Sequence, residues 1–258
     1  MPVSVDYSQK ISNFLQRAEK SSVPSCKLDA YYKAAKWQLK SGLNDAAKAS
    51  YKKAENLRLL NGPSYIDTVE NVLKLVKFSI LINPDQRPVL LSTAVEKVID
   101  KKQFSEKEEI KLIRGNTCIG YFTKLANCFY RLKDSAPADQ YLSDAIAWSG
   151  RGDPYDCLRA YKKIAKVCVI GNKKDYFWKI IPGIEAKLYE LITYADVMQS
   201  MLWRFDMVKV AYKVDRDFGK KMLKSAKESK EINQKNLSQY PNFVDLTLKY
   251  QTLEQMMQ

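Results

Sequence analysis

Small and apolar residues recur along this chain at separations of seven, five, four and three positions. The clearest set is Ala35, Gly42, Ala47, Tyr51 and Ala54. Because small residues let two helices approach closely while a bulky one fills the remaining space, this spacing is typical of a helical hairpin. The same separations return in three further sets: Ala126, Lys133, Ala138, Leu142 and Ala145; Ala165, Asn172, Phe177, Ile181 and Ile184; and, less regularly, Leu75, Ile82, Arg87, Leu91 and Ala94.

Polar segments rich in Gly, Pro, Ser and Asn separate the apolar stretches and predict where helices end. A first helix is expected over 11–20, and hairpins are expected over 30–57, 65–99, 105–148 and 155–181. The predicted turns and boundaries lie at 21–26, Gly42, 61–64, 83–88, 133–137, 149–154, 171–175 and Pro182–Gly183.

These elements predict an all-α protein. The expected fold is a right-handed, tetratricopeptide-like solenoid of antiparallel helical hairpins, forming a twisted sheet over 1–184, followed by a C-terminal helical bundle over 185–258. The segment 187–214 is apolar on several sides, as a helix enclosed by other helices would be. With only nine Gly and nine Pro in 258 residues, the composition also favours helices over sheets.

The net charge of the chain indicates which classes of partner the protein can attract. Lys and Arg outnumber Asp and Glu by 43 to 29, which gives a formal charge of +14. Such a protein attracts acidic partners, whether nucleic acid, anionic lipid or acidic protein. The alternative is that basic side chains merely solvate outer helix faces.

The sequence contains few residue combinations that could form a catalytic, metal or cofactor site. The chain has no His, its five Cys form no CxxC pair, and no glycine-rich phosphate loop occurs. We therefore expect no metal site, no disulfide framework, no cofactor and no enzymatic activity. The N-terminus lacks an apolar signal core, and Lys74 and Lys77 interrupt the longest apolar stretch, 72–82. A cytoplasmic, reduced setting is the expectation.

The order of the segments 11–20, 30–57, 83–110 and 135–167 resembles the α/β soluble NSF attachment proteins, or SNAPs, and 215–231 is similar to the family's basic-then-acidic segment. The resemblance implies an adaptor that binds the four-helix bundle of assembled SNARE proteins through a basic concave face. It also implies recruitment of the hexameric AAA ATPase NSF, which takes that bundle apart during vesicle fusion and intracellular transport.

The resemblance also suggests site residues. Arg159 and Lys163 fall on two SNARE-contacting lysine positions of the family, and their spacing of four puts them on one helix face. Lys187 and Arg216 resemble two further basic contact positions. Lys101 and Lys102 adjoin another, which is Gln103 here.

For the surface that faces NSF, the resemblance suggests acidic residues of the final bundle and an apolar contact near the C-terminus. The candidates are Glu228, Glu231, Glu254, Leu253 and Met257, with Met256 as a further apolar choice. The family's N-terminal loop touches membrane through aromatic residues, but 21–30 contains none. Membrane association is thus expected to be peripheral at most and to occur through the SNAREs.

Two other functions fit parts of the sequence. A tetratricopeptide-like scaffold that binds an acidic protein unrelated to membrane fusion is the main alternative. Basic helical-repeat proteins that bind RNA are a third class. No set of residues repeats in each unit in a way that would read bases, so nucleic acid is not the expected partner.

Overall fold

The computed structural model of the chain describes residues 7–60, 76, 91–99, 111–193, 197–240 and 243–257. Every regular element in these ranges is helical, which confirms the all-α class. The chain divides into two compact units, Met1–Asp100 and Lys101–Gln258. The predicted division between 184 and 185 stays a prediction, and the helix Lys174–Thr193 runs across that point.

The first unit contains three helices at its N-terminal end and a helical segment over 91–99. The helices are α1 (Ser8–Lys20), α2 (Pro24–Lys40) and α3 (Asn44–Leu60). Helix α2 packs against both α1 and α3. The hairpin predicted over 30–57 is therefore confirmed, and its spaced residues Ala35, Ala47, Tyr51 and Ala54 are all buried. The predicted turn at 83–88 and most of the hairpin 65–99 lie outside the described residues.

The second unit contains the remaining helices. They are α4 (Lys111–Arg131), α5 (Ser135–Trp148), α6 (Pro154–Gly171), α7 (Lys174–Thr193), α8 (Val197–Val214), α9 (Arg216–Ile232), α10 (Gln234–Leu237) and α11 (Phe243–Met257). Sequential helices pack in pairs, α4 on α5, α6 on α7 and α8 on α9, while α6 also contacts α4 and α8. Helix α11 packs on α8 and α9 and closes the C-terminal core.

The second position of the repeated spacing has one structural role in three hairpins. Gly42, Lys133 and Asn172 all have positive φ angles, of 75°, 60° and 52°. In each case the next backbone N–H donates to the carbonyl five residues earlier, at 2.8–3.0 Å: Leu43 to Gln38, Asp134 to Phe129 and Lys173 to Cys168. This is the Schellman arrangement, which satisfies the free carbonyls at the end of the first helix and reverses the chain.

The predicted boundary at Pro182–Gly183 is wrong, because α7 continues through it to Thr193. Pro182 leaves one carbonyl of the preceding turn without its intrahelical donor, a cost that packing of the flanking turns offsets. Gly183 is needed for a different reason. A Cβ atom on Gly183 would lie 2.2 Å from the hydroxyl oxygen of Tyr161, a buried residue of α6. Gly183 is therefore required by the close contact between α6 and α7 and does not mark a turn.

Candidate functional site

Helix α6 presents the two best sequence candidates, and its start is well defined. The Asp153 carboxylate accepts a hydrogen bond of 3.0 Å from the backbone N–H of Asp156, and Pro154 occupies the first turn, where a missing N–H costs nothing. One face of α6 is buried through residues such as Leu158, Tyr161 and Ile164. The register of this buried face fixes which side chains of α6 point to solvent.

A basic stripe follows the exposed side of α6. It consists of Arg159, Lys163 and Lys166, all exposed, and it is continued by Ile170, which is 40% exposed. Their separations of four, three and four keep them on one helix face. The family resemblance did not suggest Lys166 as a site residue, although its separation of three from Lys163 places it on the same helix face.

The charge of Arg159 stays available to a partner. The Arg159 guanidinium is 3.4 Å from the Asp156 carboxylate, and both side chains are well exposed, so this ion pair contributes at most about 1 kcal/mol and is easily exchanged for another. Lys163 extends towards α4, because its Nζ lies 3.6 Å from where a Cβ of Gly120 would be. Lys163 therefore lies at the contact between α4 and α6, whereas Arg159 lines the groove shared with α8 and α11.

Lys187 has a different environment. Its side chain is only 17% exposed, and its Nζ donates to both carboxylate oxygens of Glu190, at 2.7 and 3.0 Å. The hydrogen bond to Glu190 raises the pKa of Lys187. Because this charge is already matched within the helix, Lys187 is a poor candidate for an outward basic contact.

Arg216 is exposed at the first position of α9. It lines a surface groove of about 650 Å³ together with Lys174 and Asp215. The Asp215 carboxylate caps α9 by accepting from the backbone N–H of Phe218 at 3.0 Å, and Lys174 donates to it at 3.3 Å. These two bonds, the first being the stronger influence, lower the pKa of Asp215. Arg159 lines a separate groove, so the structure does not bring these two arginines together in one site.

The predicted candidates Lys101 and Lys102 lie outside the described residues. The acidic candidates Glu228, Glu231 and Glu254 are all exposed. Glu254 accepts a hydrogen bond of 3.2 Å from Tyr250. Both Glu254 and Glu231 act, after the larger influence of Tyr250, to raise the pKa of Lys227. Both carboxylates therefore act on one lysine of α9, which reduces the net negative charge of this surface.

The apolar candidates near the C-terminus require a correction. Leu253 and Met257 are only 6% and 5% exposed and belong to the core between α8, α9 and α11. Neither residue offers more than a small part of its side chain to a partner, so neither is a suitable main apolar contact. Met256, the neighbouring candidate, is 47% exposed. The sequence did not separate them because this helix carries apolar residues on two sides.

Between α6, α8 and α11 lies a groove of about 480 Å³ that includes Arg159, Trp203 and Lys249. Asp206 is the acidic centre of this region. Its carboxylate forms an ion pair with Lys162 and lies 3.7 Å from Lys249. Lys162 also lies over the ring of Trp203, 5.3 Å from its centroid, in a cation–π contact. Because Lys162 and Lys249 both pair with the single carboxylate of Asp206, the net charge of this region is positive.

Four of the five cysteines are buried in the way that small apolar residues are. Cys118, Cys128, Cys157 and Cys168 are buried, and Cys26 is partly exposed. Burial raises the pKa of Cys157, and it raises the pKa of Cys168 to about 12. Thiols held in the neutral form are weak nucleophiles. Among the described residues, no cluster of three or more metal-binding side chains occurs.

No helix within the described ranges is both long enough and apolar enough to cross a membrane. Comparison with known proteins finds no matching protein family, no matching curated protein and no matching solved structure. The sequence resemblance and the surface that α6 and its neighbours present are the features that point to a function.

Proposed function

We propose that this protein is a SNAP-type adaptor without catalytic activity of its own. In this role it binds assembled SNARE complexes through a basic face and recruits an NSF-type AAA ATPase for their disassembly. The observation that carries the proposal is the basic stripe of Arg159, Lys163 and Lys166 on the exposed side of α6. Two of these three residues are the ones that the family resemblance indicates.

The helical hairpins support the same proposal. The Schellman turns at Gly42, Lys133 and Asn172 give three of the predicted hairpins one common turn geometry, as is expected for repeats of a tetratricopeptide-like solenoid. Repeats of this kind present an extended concave surface instead of a deep pocket. A rod-like acidic bundle is held well by such a surface, through many weak and salt-sensitive contacts.

The part that faces NSF is expected at the C-terminal end of the second unit. Glu231 and Glu254 are its acidic candidates, together with Glu228, and Met256 replaces Leu253 and Met257 as the apolar one. Lysines on α9 reduce the negative charge of this surface. The proposed contact with the ATPase is therefore weaker electrostatically than the proposed contact with the SNARE bundle.

The test is charge reversal on the basic stripe. The double variant Arg159→Glu/Lys163→Glu should weaken capture of assembled SNARE complex by about tenfold, because two attractive contacts of up to about 1 kcal/mol each become repulsive. Circular dichroism should remain unchanged, since both side chains are exposed. Capture is measured by pull-down or surface-based binding at about 0.1 M salt, where such contacts are only partly screened.

Lys48 and Lys52 provide a matched control. They are also exposed and four residues apart, on α3 in the first unit. The variant Lys48→Glu/Lys52→Glu carries the same change of charge and should retain capture within about twofold. Equal loss of capture in both double variants would show that net charge alone causes the effect. Unchanged capture by Arg159→Glu/Lys163→Glu would show that the basic stripe does not bind the SNARE complex.

A further inference from the structure

Helix α11 carries a second apolar face that the core does not use. Its buried face contributes Leu246, Leu253 and Met257 to the core with α8 and α9. On another side, Leu248 is 55% exposed and Met256 is 47% exposed. Large apolar side chains that stay together at a surface are a feature of interaction sites more than of inert surfaces.

These two residues line a groove between α8 and α11. The groove measures about 500 Å³, its floor includes Phe205 and Leu253, and its rim carries Lys209 and Lys249. Both lysines are exposed, Lys249 at 47% of its side chain. The carboxylate beside them, Asp206, is already engaged by Lys162 and by Lys249. The groove therefore combines apolar walls with a positive rim.

We propose that the groove between α8 and α11 binds an amphipathic helix from a partner protein, with acidic residues flanking the apolar face of that helix. Both walls are helices whose backbone groups are already paired internally, so no open strand edge is available for an extended peptide. Leu248 and Met256 lie eight residues apart, about 12 Å along α11, so apolar side chains at positions i, i+4 and i+8 of the partner span both of them. Flanking carboxylates of the partner meet Lys209 and Lys249.

The charge of the chain argues against a second copy as the occupant. The chain carries a net charge of +14, so docking two copies on this rim would bring like charges together. The proposal also goes beyond the adaptor function proposed above. Leu248 and Lys209 belong to no surface proposed above, whereas Met256 is also the apolar candidate for the contact with NSF.

The probe is a designed, helix-forming peptide of about 18 residues with Leu at positions i, i+4 and i+8 and Glu on both flanks, labelled for fluorescence anisotropy. Two control peptides accompany it, one with a scrambled order and one with Lys in place of each flanking Glu. The Glu-flanked peptide should bind saturably, and both controls should bind about tenfold more weakly or worse.

The variant Leu248→Glu/Met256→Glu should lose about tenfold or more of this affinity, because it removes the two exposed apolar side chains that α11 contributes to the groove. The control variant is Val244→Glu/Ile232→Glu. It adds the same charge at two apolar residues that are 65% and 82% exposed and do not line the groove. On an α-helix, with about 100° per residue, Val244 lies roughly 110° from the centre of the lining arc of α11. This control should keep the affinity within about twofold.

Three results would overturn the proposal. They are absence of saturable binding by the Glu-flanked peptide, equal binding of the Lys-flanked peptide, and equal loss of affinity in the two double variants. Because all four substituted side chains are already exposed, thermal melting should be nearly the same for both variants. None of these results depends on capture of SNARE complex, so the two proposals can fail separately.

Discussion

Gly219 and Gly120 both lie within helices of the second unit, yet substitution by alanine should change stability in opposite directions. Exchanging Gly for Ala inside a helix favours folding by about 1 kcal/mol, because the unfolded chain loses freedom and the helix gains propensity. The difference between the two positions comes from their neighbours. A Cβ on Gly120 would meet only Lys163 Nζ, at 3.6 Å, which is ordinary van der Waals contact with a movable group.

A Cβ on Gly219 would meet backbone instead. It would lie 2.4 Å from Tyr212 Cα and 2.6 Å from Tyr212 N. Carbon atoms pack best at about 3.5–4.0 Å, so α8 and α9 must separate by roughly 1 Å. Overpacking of this kind costs typically about 1–3 kcal/mol and sometimes more, which outweighs the gain in propensity. We expect Gly219→Ala to lose about 1–2 kcal/mol and Gly120→Ala to gain about 0.5–1 kcal/mol.

Urea unfolding followed by circular dichroism measures both changes. Since both glycines belong to the unit Lys101–Gln258, the same transition reports on both, and the wild type is the common reference. A shift of the midpoint without a change of slope indicates a change of stability alone. The packing of α8 on α9 would be refuted if Gly219→Ala proved as stable as Gly120→Ala.

Two further predictions concern the hairpin turns and the buried thiols. Lys133→Gly should raise stability by about 1 kcal/mol, because a lysine at φ 60° is strained where glycine is not; a urea midpoint at or below that of the wild type would contradict this. Burial raises the pKa of Cys168 to about 12 from its ordinary value of 9.0, so the unfolded chain releases this proton first and stability should fall as pH rises from about 9 towards 12. The fall attributable to one such thiol is at most about 1.4 kcal/mol per pH unit, and Cys168→Val should flatten the plot of urea midpoint against pH; an equally steep plot for that variant would remove Cys168 as a cause.

Much of the fold follows from local sequence signals. The turns at Gly42, 133–137, 149–154 and 171–175 were predicted because Gly, Asn, Pro and Asp have strong local preferences. The error at Pro182–Gly183 has a non-local cause. Gly183 accommodates Tyr161, a residue 22 positions earlier, and no local pattern distinguishes a glycine that ends a helix from one that admits a ring.

The candidate site was predictable to a smaller extent. The spacing of Arg159 and Lys163 placed both on one helix face, and α6 presents that face to solvent. The pairing of Lys187 with Glu190 follows from a separation of three, but its burial depends on the packing of α7 on α6. Leu253 and Met257 were misjudged because α11 has apolar residues on two sides, and only the position of α8 decides which side is buried.

The proposed function is that of an adaptor between a SNARE complex and NSF. The most direct test is ATP-dependent disassembly of a preassembled SNARE complex by NSF, with this protein as the only adaptor. We expect disassembly that requires the protein, falls with Arg159→Glu/Lys163→Glu and persists with Lys48→Glu/Lys52→Glu. A complex that stays intact at saturating amounts of the folded wild-type protein would contradict it.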